Sequence, residues 1–501
     1  MHLDPQVCYQ AIQSRDPRFD GQFFVGVQTT GIFCRPICPA ITPKYQHCQF
    51  FCSAAAAQAA GFRPCLRCRP ELAPRLWPQI TTASTVRRAL DLIEAGALDR
   101  GSVTALARRL GVGARHLRQL FQEHLGLSPV AVAQTRRLLF AKQLLGETAL
   151  SMTDVALAAG YSSVRRFNES VRRTYGRPPS DLRRGSPHSP EIELKLPYSA
   201  PYHWQALLAF WGKRAIPGVE QVDTGVEAGV YRRTIRCLNS TGSPVGWVEI
   251  RSREIKGISQ PYLLARIVID NVQLLSPIVE RLRQMLDVSA PIAEIEAHLK
   301  QDPLLASLVA QHPGLRVPGA WDPFEMAVRA ILGQQISVAA ATTLAGRLAE
   351  SLGEPVPGIP GLERLFPTPH QLAEADPAHL NSLGISKSRS LAITRLAQAV
   401  VRDPELLMGQ VTLDETVRAL CQLPGIGTWT AHVIAMRALR EPDAFPGGDL
   451  GLIRRIEQLG SPLTRQQLEA HAQGWRPWRA YAAMHLWATA NPSFLSVSLS
   501  A

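Results

Sequence analysis

The stretch LPGIGTWTAHVIAMRAL (423–439), with DAFPGGDLGLIRRI (443–456) close behind it, decides how the C-terminal half folds. Leu423 to Gly427 reads as a tight hairpin between two helices, with Gly425 and Gly427 where the backbone must come close to a partner. Backbone N–H groups at the start of the following helix, around Thr428, can hold a phosphate without reading a base. Asp449 lies about twenty residues beyond the hairpin and directly precedes LGLIRRI. It can cap that helix or serve as a reactive carboxylate, and the two roles are compatible.

Outward from this stretch, the chain has 501 residues, enough for three or four domains of about 150 residues each. A hydrophobic content of 46% excludes wholesale disorder. No uncharged apolar run reaches the length of a transmembrane helix. The first residues, MHLDPQVCYQAIQSRDPRFD, are acidic and broken by Pro5, which does not fit a secretory signal. A cytoplasmic location with reduced thiols is therefore expected, with no membrane partner. The net charge is +13. Residues 1–190 carry 25 Lys and Arg against 12 Asp and Glu, so the whole excess sits there, while the remainder balances at 29 of each. A basic half beside a neutral half points to an anionic partner, most often nucleic acid.

Composition divides the chain further. Residues up to about 75 hold seven of the nine cysteines and short β-like runs such as FFVGVQTTGIF. Residues from about 80 to 185 read as helices, and GRPPSDLRRGSPHSP (176–190) as a linker. YRRTIRCL, GWVEIRS and YLLARIVI alternate as strands do, and from about 290 onward the pattern is helical again. The expected fold is multidomain α+β. It comprises a small α/β cysteine-rich domain (1–76), an all-α domain (80–185), a linker (186–192), an antiparallel sheet with helices (193–310), and a second all-α domain (311–497).

Cys34 and Cys38 in FCRPIC and Cys65 and Cys68 in RPCLRC form two short-spaced pairs, the pattern of a four-cysteine zinc site. Cys48 and Cys52 bracket the apolar run CQFFC, a strand whose cysteines are expected in the core, and Cys8 has no partner nearby. SVTALARRLGVGARHLRQLFQEHLG (102–126) reads as helix, turn, helix, with Ala105, Leu106, Leu110, Leu117, Leu120 and Phe121 facing inward. SMTDVALAAGYSSVRRFNESVRRTYG (151–176) repeats the plan with its turn at Gly160–Tyr161. Thr104 and Thr153 stand where a hydroxyl can cap the first helices. The second helices would enter the major groove. They would offer Arg115, His116, Arg118 and Gln119 in one unit, and Ser162, Ser163, Arg165 and Arg166 in the other. Whether these arginines read bases or hold phosphate is left open.

Three resemblances follow. TTGIFCRPICPA with AAAAQAAGFRPCLRC resembles the zinc-bearing domain of the Ada methylation-response proteins. This implies one zinc ion on Cys34, Cys38, Cys65 and Cys68, with Cys34 accepting a methyl group from a DNA methylphosphotriester. Methylation would reduce the formal charge of the centre from −2 to −1 and raise DNA affinity. The paired helix-turn-helix units, ending in GRPPSDLRR, resemble AraC-type regulators, implying a promoter operator and, for an activator, RNA polymerase as partner. The Pro-Cys-His-Arg motif of an alkylguanine methyltransferase is absent, and Cys237 and Cys421 lie in other contexts.

From about 195 to 495 the chain resembles AlkA-type 3-methyladenine glycosylases of the helix-hairpin-helix superfamily, through the hairpin, Asp449, WDPFEMAVRAILGQQISVAAA (321–341) and GWRPWRAYAAMHLWATA (474–490). This implies Asp449 as catalytic carboxylate, Trp429 and Trp487 lining the base cleft, and Gln335 as the residue pushed into the gap left by a flipped base. Leu423, Gly425, Gly427 and Thr428 would meet the DNA backbone. Trp321, Trp475, Trp478 and Tyr481 are expected in the core or at the rim. Bifunctional relatives carry a lysine where this chain has Trp429, so a hydrolytic enzyme without lyase chemistry is implied. Val433 replaces an aromatic pocket residue, which leaves lesion preference open. The expectation is a monomeric repair enzyme and regulator acting on double-stranded DNA in the cytoplasm, at the nucleoid, with no organic cofactor. The rival is a DNA-binding regulator whose glycosylase-like half is an inert clamp.

Overall fold

The computed structural model describes residues 4–74, 84–183, 191–225, 229–236, 245–252, 261–356, 360–409 and 412–489. Most of the expected linker 186–192, the boundary residues 76 and 80, and Cys237 lie outside these residues. The chain forms two compact units, 1–199 with 253–283, and 200–252 with 284–501. Among the described residues no helix is long and apolar enough to cross a membrane.

The first unit begins with helix Pro5–Ser14, started by Asp4 at its N-cap and Pro5. A four-stranded sheet follows. Strand Phe24–Val27 pairs antiparallel with Ile32–Cys34 on one side and Cys48–Phe51 on the other, and Ile32–Cys34 pairs parallel with Arg63–Pro64. Cys48 packs half-buried beside the four-cysteine cluster, but Cys52 is exposed, contrary to the core position expected for it. The strand ends at Phe51, so Cys52 no longer follows its alternation.

Two helix-turn-helix units follow, built from Val103–Arg109 with Ala114–Leu125 and from Met152–Ala158 with Val164–Tyr175. The 19-residue helix Pro129–Glu147 joins them. Leu117, Phe121 and Leu125 are buried in the first unit, and Phe167, Val171 and Tyr175 take the same spacing in the second. Both second helices stop at a left-handed glycine, Gly126 or Gly176. The helix caps are Ser102 and Ser151, not Thr104 and Thr153: each serine hydroxyl accepts the N–H three residues on. With that phase Ala105 is exposed, and Val103, Leu106 and Ala107 face the core instead. Strand Ile192–Pro197, antiparallel to Tyr262–Ile269, also belongs to this unit.

In the second unit, strands Glu220–Asp223, Val230–Arg236 and Val245–Ser252 form an antiparallel meander. The helices after it pack around a core that includes Phe324, Ile331, Leu348, Ile393, Leu396, Ala431 and Ile434. Trp321, Trp475, Trp478 and Tyr481 are buried, as expected. Val433 is also buried in this core.

Candidate functional site

The cysteine pairs converge. Cys34 closes a strand, Cys38 follows in the next turn, and Cys65 and Cys68 flank the turn after Arg63–Pro64. Their four Sγ atoms lie within 4.8 Å of one another, the one such group among the described residues. The backbone N–H of Arg35 donates to Cys68 Sγ and that of Arg67 to Cys65 Sγ, both at 3.4 Å. The four sulphurs shift one another's protonation through hydrogen bonds. Hydrogen bonding with Cys34 draws Cys65 down strongly and Cys38 to about 7. Hydrogen bonding with Cys38 pushes Cys34 up, and burial raises Cys68. Four thiolates this close need a compensating cation, and soft sulphur ligands in a tetrahedral cluster suit zinc. The nearby Arg35 guanidinium does not serve, because it is committed to Asp20 and to the Cys68 carbonyl. Cys34 is buried, while Cys38 is the more open of this pair.

Arg115, His116, Arg118 and Gln119 are all exposed on helix Ala114–Leu125, and Ser162, Ser163, Arg165 and Arg166 are exposed at the start of Val164–Tyr175. Ser163 is the N-cap of its helix, accepting from Arg166 N–H at 3.3 Å, and Arg165 pairs with Glu169 one turn on. Both faces are polar and carried on a packed helix, as groove entry requires.

In the second unit the hairpin joins Leu413–Cys421 to Thr428–Arg437. Gly425 has φ +87°, and a Cβ there would come within 2.4 Å of the Ala392 methyl. Nothing lies within 4 Å of a Cβ built on Gly427, so that position is open to an outside partner. Gly425, Gly427 and Thr428 are exposed, whereas the Leu423 side chain is half-buried against the core. Gln334 braces the hairpin, its Nε2 donating to Gly425 O at 2.8 Å and to Thr430 Oγ1 at 3.0 Å. Next to it, Gln335 is exposed with φ +55°, a left-handed conformation that disfavours a side chain.

Asp449 caps helix Leu450–Gln458. Its Oδ1 accepts the N–H groups of Gly451 at 2.9 Å and Leu452 at 3.1 Å, together with the indole N–H of Trp487 at 3.0 Å. Its Oδ2 accepts the indole N–H of Trp429 at 2.9 Å. The expected carboxylate and the two expected cleft aromatics thus form one constellation, drawn from positions 20 and 38 residues away from Asp449.

Comparison with known proteins places these features. The chain is 40% identical over 499 residues to a Mycobacterium tuberculosis protein named as a probable bifunctional transcriptional activator/DNA repair enzyme AlkA, covering 98% of this chain and 97% of that one. The chain belongs to that family.

Four family models divide this AlkA-type chain: the metal-binding domain of Ada (7–71), a helix-turn-helix domain (106–185), the AlkA N-terminal domain (193–322), and the HhH-GPD superfamily of base excision DNA repair proteins (328–480). The DNA-3-methyladenine glycosylase 2 of Escherichia coli is 32% identical, over 59% of this chain and 96% of that protein. A 3-methyladenine DNA-glycosylase structure from Archaeoglobus fulgidus shares the fold, with a TM-score of 0.51 at 22% identity over 60% of this chain and 98% of that one. Two residues of the AlkA-type site escaped sequence reading. Gln334 was hidden beside Gln335. Gly451 matters because a Cβ there would stand 2.9 Å from Asp449 Oδ1, and glycine in the first turn of a helix carries no such signal.

Proposed function

We propose that this chain combines two DNA-repair chemistries with transcriptional control. Its second unit excises alkylated bases, of the 3-methyladenine and 7-methylguanine class, by hydrolysing the N-glycosidic bond. Its first unit accepts a methyl group on Cys34 and activates transcription from an operator through RNA polymerase.

The observation that carries the excision reading is the grip of Trp429 and Trp487 on the Asp449 carboxylate. A damaged base must leave the stack before its glycosidic bond can be reached, and Gln335, exposed in a left-handed conformation, fills the gap. Ring-nitrogen alkylation makes the base cationic and a good leaving group, and aromatic walls stabilise a cation. As the bond breaks, positive charge develops on the sugar, and a carboxylate stabilises it and positions water, as in glycoside hydrolysis. Trp429 supplies no amine, so no Schiff base forms and the product is an abasic site. Gly425, Gly427 and Thr428 hold the DNA backbone meanwhile.

In the first unit, Cys34, Cys38, Cys65 and Cys68 would hold one zinc ion, which would keep the sulphurs as thiolates at neutral pH. The Cys34 sulphur forms an S–CH3 bond as the phosphotriester O–CH3 bond breaks, and the phosphate leaves as a diester anion. The centre loses one negative charge, so its repulsion from DNA weakens and the two recognition helices bind more tightly. The protein acts as a monomer in the cytoplasm, on the nucleoid. The test incubates the full chain and Asp449→Asn with methylated duplex DNA. Base release by the wild type alone is expected, with strand breaks appearing only after alkali. Equal release by both would refute the mechanism, and release by neither would favour an inert clamp. Loss of methyl uptake in Cys34→Ser tests the acceptor.

A further inference from the structure

We propose that Asp99 sets the geometry between the two recognition helices, and with it the half-site spacing this protein accepts on DNA. The inference rests on both helix-turn-helix units reading DNA. Asp99 lies in the turn between helices Ser84–Glu94 and Val103–Arg109, so it belongs to the first unit. Its Oδ1 accepts from Arg137 Nε at 2.8 Å, and its Oδ2 accepts from an Arg136 guanidinium nitrogen. Both arginines lie on the joining helix Pro129–Glu147. The same carboxylate covers the turn of the second unit. A Cβ built on Gly160 would stand 2.3 Å from Asp99 Cγ, with both carboxylate oxygens within 2.7 Å. One side chain therefore touches the first unit, the joining helix and the second unit.

The surroundings fix it there. Arg136 is buried and also donates to Glu94 O at 3.1 Å, and Arg137 donates to Leu98 O. Charge-assisted bonds from two guanidiniums to one carboxylate are strong and directional, and moving the carboxylate would strand buried charge. Gly160, at φ +89°, can be neither replaced nor approached differently while Asp99 stays. The joining helix is packed into the first unit's core through Val132 and Ala133, so the second unit's turn is what remains to be set against it. The Asp99 contact stops the second unit's turn against the first. Two recognition helices on one duplex must sit in successive major-groove segments, so a fixed tilt becomes a fixed spacing.

The experiment selects bound sequences from a random duplex DNA library with the full-length wild type, Asp99→Ala and Asp99→Asn. Wild type is expected to enrich paired half-sites at one spacing, preferring it by about tenfold, the cost of one misplaced base contact. Asp99→Ala should enrich the same half-site sequences with the spacing spread over neighbouring values and the preference reduced to about threefold or less. Asp99→Asn keeps the side-chain shape and one acceptor oxygen but turns an amide donor towards the other guanidinium, so it should restore only part of the preference. If Asp99→Ala does not fold, Arg137→Ala removes one anchor at the helix surface and should broaden the spacing less. A single unchanged spacing in the folded variants, or weaker binding at every spacing equally, overturns the proposal. Failure of the wild type to enrich any sequence would instead overturn the DNA-reading assignment itself, and the spacing proposal with it.

Discussion

Asp449 divides its work between its two oxygens. Oδ1 is filled by two backbone N–H groups and the Trp487 indole, whereas among the described residues Oδ2 receives a hydrogen bond from Trp429 alone. An ionised carboxylate offers about four acceptor directions. Oδ1 therefore holds the side chain, and in the proposed mechanism Oδ2 is the oxygen left to face a developing cation or a water. Asp449→Asn separates the functions: Oδ1 can still cap, but an amide nitrogen would meet the Trp429 N–H, donor against donor. Single-turnover base release should fall at least about a hundredfold, while the stability measured by urea unfolding changes by no more than about 1 kcal/mol, the scale of a weakened cap. A stability loss that accounts for the missing activity would contradict this division. Gly451→Ala makes the complementary prediction. Its methyl would crowd Oδ1 at 2.9 Å, so excision should fall about tenfold, one pKa unit's worth of energy. Helix propensity, meanwhile, favours alanine by about 1 kcal/mol. Unchanged excision in Gly451→Ala would show that the carboxylate has room to move.

At the scale of elements, the turn between helices Pro323–Leu332 and Val338–Leu352 holds a strained residue at the proposed wedge position. Gln334 ties it to the hairpin while Gln335 stands exposed at φ +55°. A non-glycine residue held there costs of order 1–3 kcal/mol. Gln335→Gly should therefore stabilise the protein by about 1 kcal/mol in urea unfolding yet slow excision from duplex DNA, because nothing then fills the gap. Equal excision rates on duplex DNA would remove Gln335 from that role. The elements themselves were largely legible. Helical periodicity located both recognition helices, and Gly111, Gly160, Gly425 and Gly427 marked the turns. Errors came from local phase. Ser102 and Thr104 both carry hydroxyls, and only the backbone decides that Ser102 caps and Ala105 faces out. Strand Cys48–Phe51 ends one residue before Cys52. The indole contacts to Asp449 were not legible, because sequence pattern names aromatic walls but cannot aim an N–H across the fold.

Across the whole molecule, charge and tryptophan are distributed unequally, and both help experiment. The basic excess lies before residue 190, so DNA binding by the first unit should weaken steeply with salt. Eight of the nine tryptophans, all but Trp77, lie in the second unit, so intrinsic fluorescence reports its unfolding. That unit contains a buried pH dependence. His485 in helix Arg479–Thr489 is 1% exposed. Burial lowers its pKa to about 3, helped by the charges of His312, Lys300 and His203 and opposed by a backbone hydrogen bond to Leu308. His203 and His312, whose rings lie 6.0 Å apart, are lowered by burial as well. Below an ordinary histidine pKa of about 6.5 the unfolded chain takes up protons that the folded unit refuses. The stability is therefore complete above that pH and is lost as pH falls towards 3. At pH 5, His485 alone accounts for about 2 kcal/mol of that loss. Urea unfolding followed by tryptophan fluorescence at pH 7.5, 6.5 and 5 should show the decline. In His485→Gln, which keeps a donor for Leu308 but cannot titrate, the slope between pH 6.5 and 5 should shrink by about that amount, leaving the share of His203 and His312. Parallel curves for the two proteins would show that His485 takes up its proton without unfolding the unit.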